Sequence, residues 1–421
     1  MKKIRIKGVE EDIFYEKLDN GLEVYLYTKD TVHSNYVTFT TKYGSVYNEF
    51  VPINSDKMTT FPKGIAHFLE HKVFAQKEDP QPMEFFARSG AVCYTTFKNT
   101  TYLFYATESL KENIEYLLDY VQNIYLTDES VENEKDIISE EIHMYDDRPM
   151  SILEEKVRKN TLKTNPYKDS IIGTTKDIRS ITKEDLETCY HTFYHPSNMF
   201  MVITGNFDPE EIINTIKENQ RKKGFSKEGN IKIKEFTEED KVVKEKEIVK
   251  VETNIPKIAY TIKLPIKDIK LTRRKLHLYL YILFTILFDE TSEFDETLKK
   301  DGIINNTTYV NLINCDTHIL ISLMNETNKY DEYINKIKDK LNNIKISEED
   351  FNRKKKVLIS NEVFAYENAE AVGDIIIDNI IYNKHLEDNP IEIIDSLNME
   401  EFLELLKKID INNTSLVILK K

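Results

Sequence analysis

His67, Glu70 and His71 stand in the stretch GIAHFLEHKVF, residues 64–74, and spell H-x-x-E-H. On a helix, residues four apart leave the same face one turn apart, so the two imidazoles would project side by side. Two such nitrogens can take adjacent corners of a tetrahedral zinc ion. Glu70 lies beside them, placed to accept the proton of an attacking water. The order is that of the zinc-hydrolase H-E-x-x-H motif with the glutamate on the other side. The plain alternative is a helix with two surface histidines. Gly64 and the mixed apolar run around the histidines argue instead for burial.

A hydrolytic zinc needs three protein ligands and one open position. The segment VENEKDIISEEIHMYDDRP, residues 131–149, offers the third. Glu141 falls on a helix that Thr127, followed by two acids, is expected to cap. Glu134 lies seven residues earlier, about two turns, and so points into the same site. Glu140 is rotated by about 100° from Glu141 and is the poorer ligand. Spacing alone leaves His143 open as a further candidate.

The elements that carry these residues occur twice. Leu126–Ile142, LTDESVENEKDIISEEI, shifted by 220 positions, falls on Ile346–Glu362, ISEEDFNRKKKVLISNE. Both open on a capping pattern, at Thr127 and at Ser347. Apolar residues then match: Val131 with Phe351, Ile137 with Val357, Ile138 with Leu358. The stretches from Tyr102 and from His318 each read as a short strand and then an amphipathic helix. Tyr36–Gly44 and Ile258–Pro265 alternate as strands should. One shared offset across several segments points to a duplication. The expected domains are a zinc-bearing half at 1–217, a charged solvated joint at 218–250, and a second half at 251–421. In that second half Glu134 is matched by Lys354 and Glu141 by Asn361, so it lacks the metal ligands.

Composition narrows the class. Of 421 residues, 40% are hydrophobic and 31% charged, enough apolar material for real cores. The formal net charge of −15 repels phosphate backbones, so no nucleic-acid partner is expected. Cys93, Cys189 and Cys315 are too few and too scattered for a disulfide framework or a zinc ribbon, which suits a reducing cytoplasm. After MKKIRIK no apolar run precedes Glu10, Glu11 and Asp12, so no signal peptide is expected. The apolar run Leu276–Phe288 is too short to span a bilayer and reads as a core helix, as does Ile375–Tyr382. A soluble cytoplasmic protein without membrane insertion is the expectation.

GIAHFLEHKVF, ENEKDIISEEIHMYDDRP and FYHPSNMFMVITGNFDP (193–209) together resemble the M16 peptidases, the pitrilysin and mitochondrial-processing-peptidase family. The resemblance covers nearly the whole chain. It is nearest to the short bacterial processing proteases of the YmfH-like kind. It implies an α+β fold of two homologous halves, each an antiparallel sheet with helices packed on one face. It implies zinc as cofactor, His67, His71 and Glu141 as its ligands, Glu70 as general base, and Glu134 as a second catalytic glutamate that orients or assists the site. The implied activity is zinc-dependent endopeptidase cleavage of unfolded peptides. Such a peptide would bind as an extended strand added to a sheet edge, for which Ala91–Tyr105 is the candidate.

Two segments depart from the family pattern. The family carries Asn-Ala shortly before the Thr of this edge, where this chain has Val92-Cys93, after a shorter turn at Ser89-Gly90. In the second half, active single-chain members resemble Arg-x-x-x-Gly-Leu-x-Tyr. Here Ser292–Val310, SEFDETLKKDGIINNTTYV, has no Arg, only Lys299 or Lys300, whose ammonium lacks the planar fork. Tyr309 falls four residues beyond Asn305, where the family Tyr would stand. Loss of such a donor costs about 10²–10³ in rate. A homologous metal-free partner chain supplying Arg and Tyr is therefore expected, with a homodimer as the other assembly. The competing class is a non-catalytic scaffold subunit of the same fold.

Overall fold

The computed structural model describes residues 1–53, 55–73, 90–225 and 231–421. The turn at Ser89 and residues 226–230 of the expected joint lie outside the described residues. The first series of elements is β1 (Lys2–Ile6), β2 (Glu11–Lys17), β3 (Glu23–Thr28), β4 (Asn35–Thr41) and a small ladder of β5 (Glu49–Phe50) with β6 (Thr59–Thr60). Helix α1 (Ile65–Val73) follows, then β7 (Val92–Thr95), β8 (Thr100–Ala106), α2 (Leu110–Val121), α3 (Asp128–Asp146), α4 (Pro149–Thr161) and, after further helices, β9 (Met199–Gly205). The second series runs β10 (Lys246–Lys250), β11 (Lys257–Pro265), α5 (Arg273–Phe288), β12 (Tyr309–Asn314) and β13 (His318–Glu326). It ends with α6 (Tyr330–Asn342), α7 (Glu348–Ala365), α8 (Ala369–Asp378) and β14 (Thr414–Lys420).

The repeat read from the sequence is a repeat of structure. Helices α2, α3 and α4 begin at residues 110, 128 and 149, and α6, α7 and α8 begin at 330, 348 and 369. The offset is 220 at each. The caps are where the pattern put them. Thr127 Oγ1 accepts from the Ser130 N–H at 3.0 Å, and Ser347 Oγ accepts from the Asp350 N–H at 3.0 Å. In the first cap the reciprocal bond runs from the Thr127 N–H to Ser130 Oγ, which accepts it in place of an acid.

The second sheet repeats the topology of five strands of the first, β3-β9-β4-β8-β7. The first has the order β1-β2-β3-β9-β4-β8-β7 and the second β10-β14-β11-β13-β12. In each, the closing strand slots between two earlier ones, parallel to one and antiparallel to the other: β9 to β3 and β4, β14 to β10 and β11. The remaining pairs are antiparallel. The fold class is α+β with homologous halves, as expected, and each sheet adds one parallel pair.

The chain forms two compact units. One holds Met1–Ile142, Ser170–Lys234 and Asn361–Ile391; the other holds His143–Asp169, Glu235–Ser360 and Glu392–Lys421. Within the first unit strand alternation sorts the core into two faces. Val24, Leu26, Val37, Phe39, Tyr102, Met201 and Ile203 face one way and pack with residues of α1, α2 and α3. Tyr25, Tyr27, Phe200 and Val202 face the other way and meet Val372, Ile376 and Ile377 of α8. Helix α8 sits so close that a Cβ on Gly373 would lie 2.6 Å from the Tyr36 ring. In the second unit Ile258, Ile262, Ile321 and Leu323 face α5 and α6, while Ala259, Met324 and Val417 meet Leu153 and Val157 of α4. Helices thus cover both faces of each sheet, where one face was expected: the period of α4 and α8 shows an apolar stripe but not which sheet it meets.

The stretch 218–250, expected as a solvated joint, is structured at both ends. A helix runs through Pro209–Lys223, and β10 is a strand of the second sheet. Between them the Glu238 side chain is fully buried against Lys263 at 2.9 Å and accepts backbone N–H groups of Lys163, Thr164 and Asn165. Burial opposes its charge, but those N–H groups and the ammonium hold its carboxyl down at about 2. Helix α5, the apolar run of the sequence, is a core helix with Leu280, Ile282, Leu283 and Phe284 at or near zero exposure. No helix among the described residues is long and apolar enough to cross a membrane. The three cysteines are free thiols.

Candidate metal centre

Helix α1 starts from a backbone that only glycine fits. Gly64 has φ +81°, and a Cβ there would lie 2.4 Å from the Ile172 carbonyl oxygen. The helix then buries Ile65, Phe68 and Leu69 completely. Each such side chain contributes roughly 1.5–3 kcal/mol, which fixes the helix and whatever projects from it. His67 and Glu70 are buried at 7% and 6% exposure, and His71 is half-buried.

The two imidazoles leave α1 as the spacing predicts, with ring centroids 4.6 Å apart. Glu141 of α3 meets both. Its Oε2 lies 3.7 Å from His67 Nε2 and 3.4 Å from His71 Nε2. One ligand atom from each of the three residues falls within a span of 4.8 Å, and among the described residues this is the group of that kind. Ligands about 2.0–2.1 Å from a tetrahedral zinc lie roughly 3.3–3.5 Å from one another. Two imidazole nitrogens and one carboxylate oxygen at these separations fit zinc. Glu140 and His143 are not part of the group.

Glu134 faces the back of the same helix. Its Oε1 lies 3.0 Å from His71 Nδ1 and its Oε2 3.3 Å from the Lys72 ammonium, which also donates to the Ser130 carbonyl at 3.2 Å. A carboxylate on Nδ1 fixes the imidazole tautomer and leaves Nε2 turned toward Glu141, the usual support of a metal-binding histidine. Burial works against a charged His71, but hydrogen bonds to Glu134 and Glu141 outweigh it and push its pKa up to about 9. Burial also opposes the charge of Glu134, yet His71 and Lys72 hold it below the usual carboxylate range. His67 differs: burial pulls it below the usual histidine range, against nearby Glu70. Its Nδ1 is buried with no hydrogen-bond partner among the described residues.

Glu70 is met from the sheet. Thr95 Oγ1 donates to Glu70 Oε2 at 2.5 Å. Burial, with Glu70 next to it, pushes the Cys93 thiol well up. The sequence reading missed Lys72, a buried cation next to the motif, and missed Thr95. The period-2 alternation that puts Cys93 and Thr95 on one side of β7 was the available signal. Of the expected edge at 91–105, β7 is the outermost strand, while β8 lies one place in. In the second half, Lys299 is taken up by the buried Asp295 at 2.8 Å and by Thr307 at 2.7 Å, and Tyr309 is 59% exposed.

Residues 56–175 match the profile of insulinase, peptidase family M16, and residues 180–358 match the peptidase M16 inactive domain. The zinc protease YmfH of Bacillus subtilis is 40% identical over 311 residues, which cover 73% of this chain and 72% of that protein. The chain belongs to peptidase family M16. A more distant M16-type relative is the mitochondrial-processing peptidase subunit beta of Saccharomyces cerevisiae, 29% identical over 206 residues, 47% of this chain and 42% of that one. Among solved structures, an M16-like peptidase from Alicyclobacillus acidocaldarius superposes with a TM-score of 0.89 at 29% identity, covering 97% of this chain and 98% of the other. A protease from Helicobacter pylori shares the fold, with a TM-score of 0.81 at 18% identity over 98% of this chain and all of that one.

Proposed function

We propose that the chain is a zinc metalloendopeptidase that cleaves unfolded peptides, with His67, His71 and Glu141 as metal ligands and Glu70 as general base. The observation that carries this reading is the convergence of His67 Nε2, His71 Nε2 and Glu141 Oε2 beside a buried glutamate. Zinc held by these three residues would supply Lewis-acid chemistry and would lower the pKa of a water toward about 7. Glu70 takes the proton of the attacking water and returns it to the leaving amine. Glu134 touches no reacting atom in this arrangement; it holds the Nδ1–H of His71 and so positions a ligand. The edge of β7 that no described strand pairs offers backbone groups to an extended peptide. A chain folded in its own secondary structure cannot use that edge, which restricts substrates to unfolded segments. The free cysteines suit action in a reducing cytoplasm.

The second half bears on whether the chain works alone. With Lys299 committed to Asp295 and Thr307, the segment Ser292–Val310 has no arginine to steady a substrate. We therefore assign that task to a homologous, metal-free partner chain or to a second copy. The same observation favours one other reading, a scaffold subunit that binds zinc without turnover. Cleavage of a pool of unstructured 10–30-residue peptides by the zinc-loaded chain, with Glu70→Gln as background, separates them. Cleavage above that background supports the peptidase. No cleavage, alone or mixed with a metal-free homologue, supports the scaffold.

A further inference from the structure

Among the described residues strand β7 has one neighbour, β8, and its other edge is open. Its register with β8 pairs Cys93 with Tyr102 and Thr95 with Thr100. Tyr102 belongs to the core face that packs on α1, so Cys93 and Thr95 share that face by alternation, while Val92 and Tyr94 take the other. The Thr95 hydroxyl has one proton, and the 2.5 Å contact gives it to Glu70 Oε2. Thr100 Oγ1, fully buried, packs 3.2 Å from Thr95 Oγ1 and gives its own proton to the Tyr43 carbonyl at 3.0 Å, which leaves the Thr95 proton for Glu70. Glu70 thus has two anchors: its own place on α1, and a hydroxyl on the strand to which a peptide would add.

We infer that Thr95 is a positioning residue for Glu70, linking the edge strand that receives the peptide to the carboxylate that takes the proton. This rests on the reading of Glu70 as general base. A glutamate side chain has three rotatable bonds, and a base must stand within hydrogen-bond reach of the proton it removes. A hydroxyl fixed by a strand ladder removes that freedom. Pairing of a peptide along the open edge of β7 stiffens the same four-residue strand, so the base is held most firmly when substrate is present. With Val92-Cys93 on this strand, Thr95 is the hydroxyl by which β7 reaches Glu70.

The test compares the zinc-loaded full chain as wild type, Thr95→Val and Thr95→Ser. Zinc content should be the same in all three, which excludes loss of the metal site. Crystal structures should show Glu70 hydrogen-bonded to residue 95 in the wild type and in Thr95→Ser, and turned away in Thr95→Val. In peptide cleavage, kcat of Thr95→Val should fall by about 10- to 100-fold, the scale of a misplacement of roughly 1 Å. KM should stay within about twofold, and Thr95→Ser should regain most of the loss. An unmoved Glu70 and an unchanged kcat in Thr95→Val would overturn the inference. If the wild type, alone and mixed with a metal-free homologue, does not exceed the Glu70→Gln background, the reading of the base fails, while the crystallographic arm still decides whether Thr95 holds Glu70.

Discussion

The two halves build the same joint between two helices with opposite charges. In the first, Lys72 at the end of α1 is buried against Glu134 of α3 at 3.3 Å. In the second, Asp289 just past α5 meets the buried Lys354 of α7 at 2.8 Å, and Lys354 is the residue 220 positions after Glu134. Counting back from this pair, His71, Glu70 and His67 correspond to Phe288, Leu287 and Phe284, all buried in the second core. The histidine pair with ring centroids 4.6 Å apart becomes a phenylalanine pair at 6.1 Å. The ion pair therefore recurs at the same helix junction in both halves. What is specific to the first half is the second contact of Glu134, the one to His71. The comparison separates a structural share of Glu134, which Lys354 also has, from a share that belongs to the proposed metal centre.

Breaking the first half at its ligands has the largest expected effect. His67→Ala or Glu141→Gln should reduce bound zinc from one per chain to background, measured by metal analysis after dialysis; the matching Asn361→Ala in the second half should leave zinc unchanged. Next is Glu70→Gln, which should keep zinc and lose roughly 10²–10⁴ in cleavage rate. Retained turnover in that variant would remove Glu70 as the base.

The ion pairs sharpen the comparison further. Glu134→Ala should do two things: lower zinc affinity by about 10–100-fold and destabilise the chain by roughly 3–5 kcal/mol, because Lys72 is left buried and unpaired. Asp289→Ala strands the buried Lys354 in the same way and should destabilise comparably, with zinc affinity untouched. Zinc titrations and urea denaturation of the two variants side by side check this; equal loss of zinc affinity in both would erase the distinction. The smallest effects are at the caps. Thr127→Ala and Ser347→Ala should each cost about 1 kcal/mol, and similar shifts in denaturation midpoint would show that the capping role is shared by both halves.

Much of this was legible in the sequence because it is periodic. A four-residue spacing puts His67 and His71 on one face whatever surrounds the helix, and the seven-residue spacing does the same for Glu134 and Glu141. The offset of 220 holds because helix starts are set locally, by Thr127 and Ser347. What was not legible depends on which surfaces meet. Helices α4 and α8 show apolar stripes, but nothing in them names the sheet they cover. The bond from Thr95 to Glu70 joins residues 25 apart through the packing of α1 on β7. Lys72 reads as a surface lysine until Glu134 is seen opposite it. Lys299 reads as a stand-in for arginine until Asp295 claims it.

The central claim is that His67, His71 and Glu141 form one zinc site. Anomalous diffraction at the zinc edge, from crystals of the zinc-loaded chain, tests it most directly. The account predicts one strong peak about 2 Å from His67 Nε2, His71 Nε2 and a Glu141 oxygen, with Glu134 still on His71 Nδ1. No peak there, or zinc held elsewhere while these three residues keep their present contacts, would contradict it.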